Sequence, residues 1–325
     1  MCGIVGYVGQ RPAQTILLEG LKQLENRGYD SAGMAVLDKN GASSIHRSVG
    51  KLIGLETMVL STPMPGLIGI GHTRWATHGS PSQRNAHPHS GMRNRAVIVH
   101  NGIVENCLQL RQELMAEGIT FTSDTDTEVI VQLIELYLAT PMSLEEATRK
   151  ALGQIKGSNA IVVMALDDPD RLVCARLGNA GGIALGIGQD EMFIASDIPA
   201  ILKHTREMVF LENRQMATIE AGSYQVMNLE GRPMAAEVHT IPWDPVSAEK
   251  GPYRYFMERE IHEQPRALID TIRGRVDFDR GAVEVPELQL DPALARQIDR
   301  MFIVACGTSY YAGLVGKYMI ESIAG

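Results

Sequence analysis

The chain has few cysteines, and none of them is paired in a way that suggests a metal site or a disulfide framework. Its 325 residues include four, Cys2, Cys107, Cys174 and Cys306, and no two of them form a CxxC pair. This wide spacing argues against both a zinc site and a disulfide scaffold. Because unpaired cysteines are typical of a reducing compartment, we expect a cytoplasmic protein.

The sequence also lacks the charge pattern of a nucleic-acid binder and the apolar run of a membrane span. Its formal net charge is −8, whereas general nucleic-acid binders carry a basic patch or stripe. It has no stretch of about 18 apolar residues, and its N-terminus has neither segment of a signal peptide. We therefore predict no nucleic-acid partner and no membrane association.

What is present is the composition of a globular chain of about two domains, with 45% hydrophobic and 21% charged residues. In residues 2–240, strand-like segments precede helix-like ones and strands follow again, and an Asn40-Gly41 pair indicates a hairpin turn. This order predicts an α+β domain in which helices cover antiparallel sheets. Residues 241–290 read as a linker containing a helix that is interrupted or bent at Pro265. Residues 291–325 then read as strand, tight turn and helix, the truncated start of an α/β domain.

Cys2 follows the initiator methionine directly, before a glycine and a strand-like run. Small side chains at positions 2 and 3 favour removal of Met1, which would give Cys2 a free α-amine. That amine has a pKa of about 7.7–8.0, so it could accept the thiol proton and make Cys2 a nucleophile with its own base. Taken alone, this stretch also fits the alternative that Cys2 is only a small residue at the edge of a strand.

Three further segments carry candidate groups for substrate binding or catalysis. In His72–Gly79, Arg74 stands at the end of a strand, where it could clamp a carboxylate, and Trp75 could exclude water. In His100–Gly102, the Asn101 amide and the Gly102 N–H could stabilise an oxyanion. Each segment taken alone also fits a plain loop or β-turn.

The third segment, 123–128, precedes an apolar helix. Its Ser, Asp and Thr residues, with Glu128 three residues after Thr125, fit an ordinary capping box. The functional interpretation is that Asp126 pairs with a substrate ammonium.

Two other candidates stay undecided by the sequence. His87 and His89 flank a proline without a nearby carboxylate or cysteine, so a metal site there is disfavoured and we predict none. Arg27 and Asp30 could form a structural turn or could orient the terminal amine.

CGIVGY at the N-terminus, GHTRWATHG and HNG, in that order, resemble the class II glutamine amidotransferases over residues 2–240. The resemblance implies a four-layer αββα sandwich of the N-terminal-nucleophile hydrolase type. LENRGYDSAG, SDTDTEV, KGPYRYFMEREIHEQP and CGTSYYAG resemble the branch of this family that uses fructose 6-phosphate. In that branch the segment at 291–325 begins a sugar-isomerase (SIS) domain.

The resemblance also implies roles for individual residues. Cys2 would be the nucleophile, Asn101 and Gly102 the oxyanion hole, and Arg74 and Asp126 the binders of the glutamine α-carboxylate and α-ammonium. Thr77 and His78 would help line the pocket, and Trp75 would gate an internal path for ammonia.

At the other end of the chain, Thr308 and Ser309 would contact the sugar phosphate at the start of a helix, although a plain helix cap fits equally well. The family needs no metal or organic cofactor to make glucosamine 6-phosphate from glutamine and fructose 6-phosphate, and the full-length protein would be a homodimer. The alternatives are another class II amidotransferase and a glutamine or sugar-phosphate sensor with an idle nucleophile.

Overall fold

The computed structural model describes residues 2–38, 41–242, 253, 256–277, 280–283, 285 and 292–324. The chain divides into two compact units, residues 1–251 and 252–325. The Asn40-Gly41 turn and most of the proline-rich start of the linker therefore lie largely outside the described residues.

Unit 1 contains both of the large sheets. Its strands are β1 (Gly3–Val8), β2 (Ser31–Leu37), β3 (Ser43–Val49), β4 (Ile68–Arg74), β5 (His89–Ser90), β6 (Ala96–Gly102), β7 (Asn159–Ala165), β8 (Asp168–Leu177), β9 (Ala184–Ile187), β10 (Met192–Ala195), β11 (Glu207–Phe210), β12 (Gln215–Glu220), β13 (Ser223–Asn228) and β14 (His239–Thr240). Its helices are α1 (Ala13–Gln23), α2 (Leu52–Ser61), α3 (Cys107–Ala116), α4 (Thr127–Leu138) and α5 (Leu144–Leu152), with short 3₁₀ turns at Glu25–Arg27 and Ile198–Ala200.

All the strand pairs in these sheets are antiparallel. One sheet has the order β14-β11-β9-β10-β1-β4-β2-β3, and the other has the order β13-β12-β8-β7-β6-β5. β1 and β4 lie side by side near the middle of the first sheet, and β6 lies in the second. Cys2, Arg74 and Asn101 therefore lie in, or directly beside, strands that are paired on both sides.

The period of two along each strand sorts side chains into three apolar layers. In β6, Val97 and Val99 pack between the two sheets, whereas Ala96 and Ile98 pack against α3, α4 and α5. α1 and α2 cover the other face of the first sheet. The result is helix, sheet, sheet, helix, which confirms the predicted αββα sandwich.

Most of the predicted elements of unit 1 are present, but α2 was not predicted. Its sequence, LIGLETMVLS, is apolar on several sides and has no capping side chain at its start, so it lacks the usual start signal of a helix. It is stabilised instead by packing of Leu52, Leu55 and Val59 onto the first sheet.

Unit 2 contains α6 (Phe256–Ile272), a two-stranded ladder of β15 (Val276–Asp277) and β16 (Ala282–Val283), α7 (Pro292–Ala295) and α8 (Thr308–Ala324). Of the two alternatives predicted at Pro265, the interruption is wrong, because α6 runs through that residue, and the bend stays a prediction.

The strand predicted within residues 301–306 is also wrong, since the segment is irregular up to the turn before α8. A strand needs a neighbour for its backbone groups, and among the described residues of unit 2 the only ladder is the one between β15 and β16.

Candidate active site

Strand pairing brings Cys2 next to the end of β4. Gly3 pairs with Thr73 across the β1–β4 ladder, so Cys2, the residue before β1, lies beside Arg74 at the end of β4. The Trp75 backbone N–H donates to the Cys2 Sγ over 3.1 Å. From the other sheet, Asn101 Nδ2 donates to the Cys2 carbonyl oxygen over 3.0 Å. Cys2 is therefore in contact with Trp75 and Asn101, two residues that are far from it in the sequence.

The same strand ends open into a cavity of about 500 Å³, a size typical of small-molecule sites. All of the following residues, to which the resemblance assigns a role, line it: Cys2, Arg74, Trp75, Thr77, Asn101, Gly102 and Asp126. The structure therefore brings a thiol, a guanidinium, an amide and a carboxylate to one cavity.

The Cys2 thiol is held in its protonated form by its surroundings. Burial raises the pKa of the Cys2 thiol, although the Trp75 N–H and the Arg74 charge oppose the shift. The thiol therefore does not ionise readily by itself at neutral pH, and its use as a nucleophile requires a base close by.

Arg74 is buried, and one of the two terminal nitrogens of its guanidinium group makes no hydrogen bond. Its Nη2 donates to the backbone carbonyl of His78 and, over 3.0 Å, to that of Gly79. Its Nη1 is buried and has no hydrogen-bond partner. Burial lowers the pKa of Arg74, while the charges of Cys2, Asp126 and Asp30 oppose this. An unpaired N–H donor on a buried cation is the group expected of a carboxylate site.

Gly102 has a backbone that only glycine adopts easily. Its φ is +132°, and a Cβ on it would overlap the Ser158 carbonyl oxygen. The absence of a side chain therefore allows β6 to end tightly against residue 158 and leaves the cavity open beside Asn101.

Asp126 lies at the start of α4, but the predicted capping box is not formed. Asp126 Oδ2 accepts from the Val104 N–H over 2.8 Å, and no side chain caps the helix. Glu128 reaches backwards instead and accepts from the backbone N–H groups of Thr122 and Ser123. The carboxylate of Glu128 thus fixes the loop before α4, and Asp126 is left facing the cavity.

His78, Arg27 and Asp30 do not line the cavity. The His78 carbonyl holds Arg74, as described above, and Arg27 forms an ion pair with Asp197. Asp30 accepts from the Ala76 N–H over 2.7 Å, so it fixes the loop that follows Arg74. Trp75 is about half exposed, and its ring packs against Tyr29 at a centroid distance of 5.4 Å.

A group of buried histidines lies at the cavity, and two of them, His87 and His100, line it. His87 stacks on His72 at 4.2 Å, and His100 contacts Thr127 Oγ1 at 2.8 Å and Asn159 Oδ1 at 2.9 Å. Burial lowers the pKa of His100 and, still further, that of His87 and His89. Among the residues that the structure describes, no group of three or more His, Cys, Asp or Glu is arranged to hold a metal ion.

Sequence reasoning missed several cavity residues and one residue behind it. Ser158, Asn179 and Ala180 line the cavity, and the last two belong to a glycine-rich stretch, GNAGG, that could have indicated a binding loop. His72 lies two residues before Arg74 on the same face of β4, a relation that strand alternation alone could have revealed.

Thr308 and Ser309 are the first two residues of α8 in unit 2, and both are exposed. No helix among the described residues has the length and apolar character needed to span a membrane.

Comparison with known proteins agrees with this geometry. A family model for the glutamine amidotransferase domain matches residues 72–203. In the solved structures, the glutamine phosphoribosylpyrophosphate amidotransferase of B. subtilis superposes with a TM-score of 0.61 and 26% identity, over 70% of this chain and 49% of that one. The fold and the site thus define a glutamine amidotransferase domain of the N-terminal-nucleophile type, and the chain belongs to the class II glutamine amidotransferase family.

Its similarity to one branch of that family extends over the whole chain. The enzyme named glutamine–fructose-6-phosphate aminotransferase (isomerizing) from Caldanaerobacter subterraneus is 48% identical over 324 residues, and that from Thermus thermophilus is 46% identical over 325. Each match covers 100% of this chain and 52% of the relative. The chain therefore spans about half the length of the curated relatives it matches.

Proposed function

We propose that this chain is the glutamine-hydrolysing part of a glutamine–fructose-6-phosphate aminotransferase. The observation that carries the proposal is that one cavity is lined both by Cys2, which carries a thiol, and by the buried Arg74, whose Nη1 has no hydrogen-bond partner. Glutamine has a side-chain amide that the thiol would attack and an α-carboxylate that the guanidinium would bind.

Binding would use the two charged ends of the substrate. The glutamine α-carboxylate would accept hydrogen bonds from Arg74 Nη1, and the α-ammonium would pair with the Asp126 oxygen that Val104 leaves free. Thr77 would line the pocket beside them. These contacts would aim the side-chain amide carbon at the Cys2 Sγ.

The chemistry would begin with proton transfer inside one residue. Once Met1 is removed, the Cys2 α-amine would take the thiol proton, and this step is needed because burial raises the pKa of the thiol. The Sγ would then attack the amide carbon, and the resulting oxyanion would accept from Asn101 Nδ2 and the Gly102 N–H.

Ammonia would leave with the proton held by the α-amine, and a thioester would remain. Water would hydrolyse this thioester to glutamate and restore the thiol. Trp75, half exposed beside Cys2, would direct the ammonia away from bulk water, where protonation would remove its nucleophilic lone pair.

The second half of the reaction rests on the relatives alone. We propose that the ammonia aminates fructose 6-phosphate to give glucosamine 6-phosphate, and that residues 291–325 begin the SIS domain that binds this sugar, with Thr308 and Ser309 at its phosphate. A homodimeric full-length protein, a cytoplasmic location and the absence of a cofactor remain predictions.

The relatives favour this acceptor over phosphoribosyl pyrophosphate. The phosphoribosylpyrophosphate amidotransferase structure aligns with only 70% of the chain at 26% identity, whereas the sugar-phosphate enzymes match all of it at 42–48%. A sensor with an idle nucleophile is disfavoured because the cavity contains the thiol and both oxyanion donors.

The test is release of glutamate from glutamine by the purified chain and by Cys2→Ala, with Cys107→Ala as a matched control. We expect Cys2→Ala to lose essentially all activity and Cys107→Ala to keep it, because Cys107 lies at the start of α3 and does not line the cavity. Intact mass should show Met1 absent from active protein. Undiminished hydrolysis by Cys2→Ala would overturn the proposal, and full activity with Met1 attached would exclude the α-amine as base.

A further inference from the structure

We propose that His72 is the positioning residue that fixes which end of the Asn101 amide faces the nucleophile. The inference rests on the proposed function, since it concerns the group assigned there to the oxyanion. His72 does not line the cavity, so it would act only through Asn101.

The tautomer of His72 follows from a backbone contact. His72 Nε2 lies 3.1 Å from the His100 carbonyl oxygen, an atom that can only accept a hydrogen bond. Nε2 must therefore carry the ring proton. A ring nitrogen that carries a proton cannot accept, so this assignment does not depend on the orientation of any amide.

The orientation of Asn101 follows in turn from the tautomer. The same Nε2 lies 3.0 Å from the Asn101 side chain, and a donor there requires the amide oxygen, Oδ1, as its partner. Nδ2 then points the other way and donates one hydrogen to the Cys2 carbonyl oxygen over 3.0 Å. The second Nδ2 hydrogen remains for the oxyanion. A flipped amide would set Oδ1 against the Cys2 carbonyl and present no donor to the substrate.

The surroundings keep His72 in this one state. Its ring is fully buried, its Nδ1 has no hydrogen-bond partner, and His87 stacks on its face at 4.2 Å. A second proton on Nδ1 would have nothing to donate to and would lie near Arg74. Burial lowers the pKa of His72 to about 3, so the ring is neutral at physiological pH.

Two substitutions by amide side chains test whether a hydrogen-bond donor at the position of His72 Nε2 matters, as distinct from the size of the side chain. In His72→Gln the side-chain NH₂ can reach the position of Nε2, whereas in His72→Asn it falls about one bond short. We expect His72→Asn to lower kcat for glutamine hydrolysis by roughly 10- to 100-fold, below the 10²–10³ seen when an oxyanion donor is removed outright. KM should change by less than about twofold, because Arg74 and Asp126 bind the substrate ends. His72→Gln should recover most of kcat.

A double-mutant comparison distinguishes positioning from a general structural role. If His72 acts through Asn101, His72→Asn should have no further effect on kcat in an Asn101→Ala background. His46→Gln serves as the control, since His46 is a partly buried histidine of β3 that does not line the cavity. It should leave kcat unchanged in both backgrounds.

The outcomes are distinct. An inactive wild-type chain would contradict the proposed function and the inference with it. An active wild type with equal kcat for His72→Gln and His72→Asn would overturn the inference alone. The same applies if His72→Asn lowers kcat by an equal factor with and without the Asn101 side chain. Thermal unfolding and the rate at which iodoacetamide alkylates Cys2 report whether each variant is folded.

Discussion

Two six-residue segments of this chain have nearly the same apolar pattern, but only one of them forms a strand. AVIVHN, residues 96–101, forms most of β6, where Ile98 and Val99 have no exposed surface. MFIVAC, residues 301–306, forms no strand, and its Val304 is 94% exposed. β6 has a partner strand on each side, β5 and β7, whereas the later segment has no pairing strand among the described residues of unit 2. An apolar run thus becomes a strand only where other strands satisfy its backbone.

The glycines that follow the two segments extend the comparison. Gly102 ends β6 with a positive φ, and a Cβ on it would overlap a backbone oxygen. Gly307 precedes α8 with a φ of +61°, and a Cβ on it would meet nothing within 4 Å. Glycine is required at position 102 because neighbouring atoms leave no room for a Cβ, whereas at position 307 only the positive φ favours it.

The largest expected difference is between Gly102→Ala and Gly307→Ala. Gly102→Ala should lower glutamine hydrolysis by about 10²–10³-fold, because the added methyl displaces the end of β6 and the N–H assigned to the oxyanion. Gly307→Ala should cost roughly 1–2 kcal/mol of local conformational energy and leave hydrolysis unchanged. Steady-state kinetics on both variants checks this, and equal activities would contradict it.

A smaller difference is expected between Val99→Ala and Val304→Ala. Val99 packs between the sheets, so its truncation should lower the free energy of unfolding by about 2–3 kcal/mol through lost burial and the cavity left behind. Val304→Ala should change the free energy by no more than about 0.5 kcal/mol, because the side chain is exposed. Calorimetric unfolding of the two variants would measure this. A similar loss in both would mean that residues 301–306 are packed in solution.

The third effect, which is small for each pH unit, concerns acid stability, which unit 1 should lose through its buried histidines. In the folded protein the pKa of His72 is about 3, against an ordinary value of 6.5. The unfolded chain therefore binds a proton that the folded chain excludes, and stability falls as the pH drops from about 6.5 towards 3. Replacing His72 by Gln should reduce this slope by about 1.4 kcal/mol per pH unit, the contribution of one proton. Denaturant unfolding at pH 6, 5 and 4 would test it, and equal slopes for wild type and variant would refute it.

The sequence predicted the longer strands and most of the helices of unit 1, because their apolar patterns are pronounced. It failed where neighbours decide the outcome. LIGLETMVLS has little helical start signal and becomes α2 because the first sheet lies beneath it. MFIVAC has the apolar pattern of a strand but no partner strand in the part of unit 2 that the structure describes.

The candidate residues were singled out one by one, and only the family resemblance placed them in a common site. Taken alone, Cys2 also fitted a strand edge, Arg74 and Asn101 a loop or turn, and Asp126 a helix cap. Glu128 and Asp126 show why spacing was insufficient, since a capping-box pattern is present but Glu128 turns to the preceding loop instead. Strand alternation could have placed His72 on the face of Arg74, but not the role proposed for it, because that role depends on atoms 28 and 29 residues away.

The sequence by itself determined which chemical groups are available, which side chains alternate between the two faces of a strand, and which glycines permit tight turns. These are properties of single residues and of their local spacing. The tertiary structure alone decided that Trp75 and Asn101 meet Cys2, that the Arg74 Nη1 has no partner, and that a backbone carbonyl fixes the proton on His72. Those relations depend on the register between strands and on the packing of two sheets, where small shifts would exchange donors for acceptors.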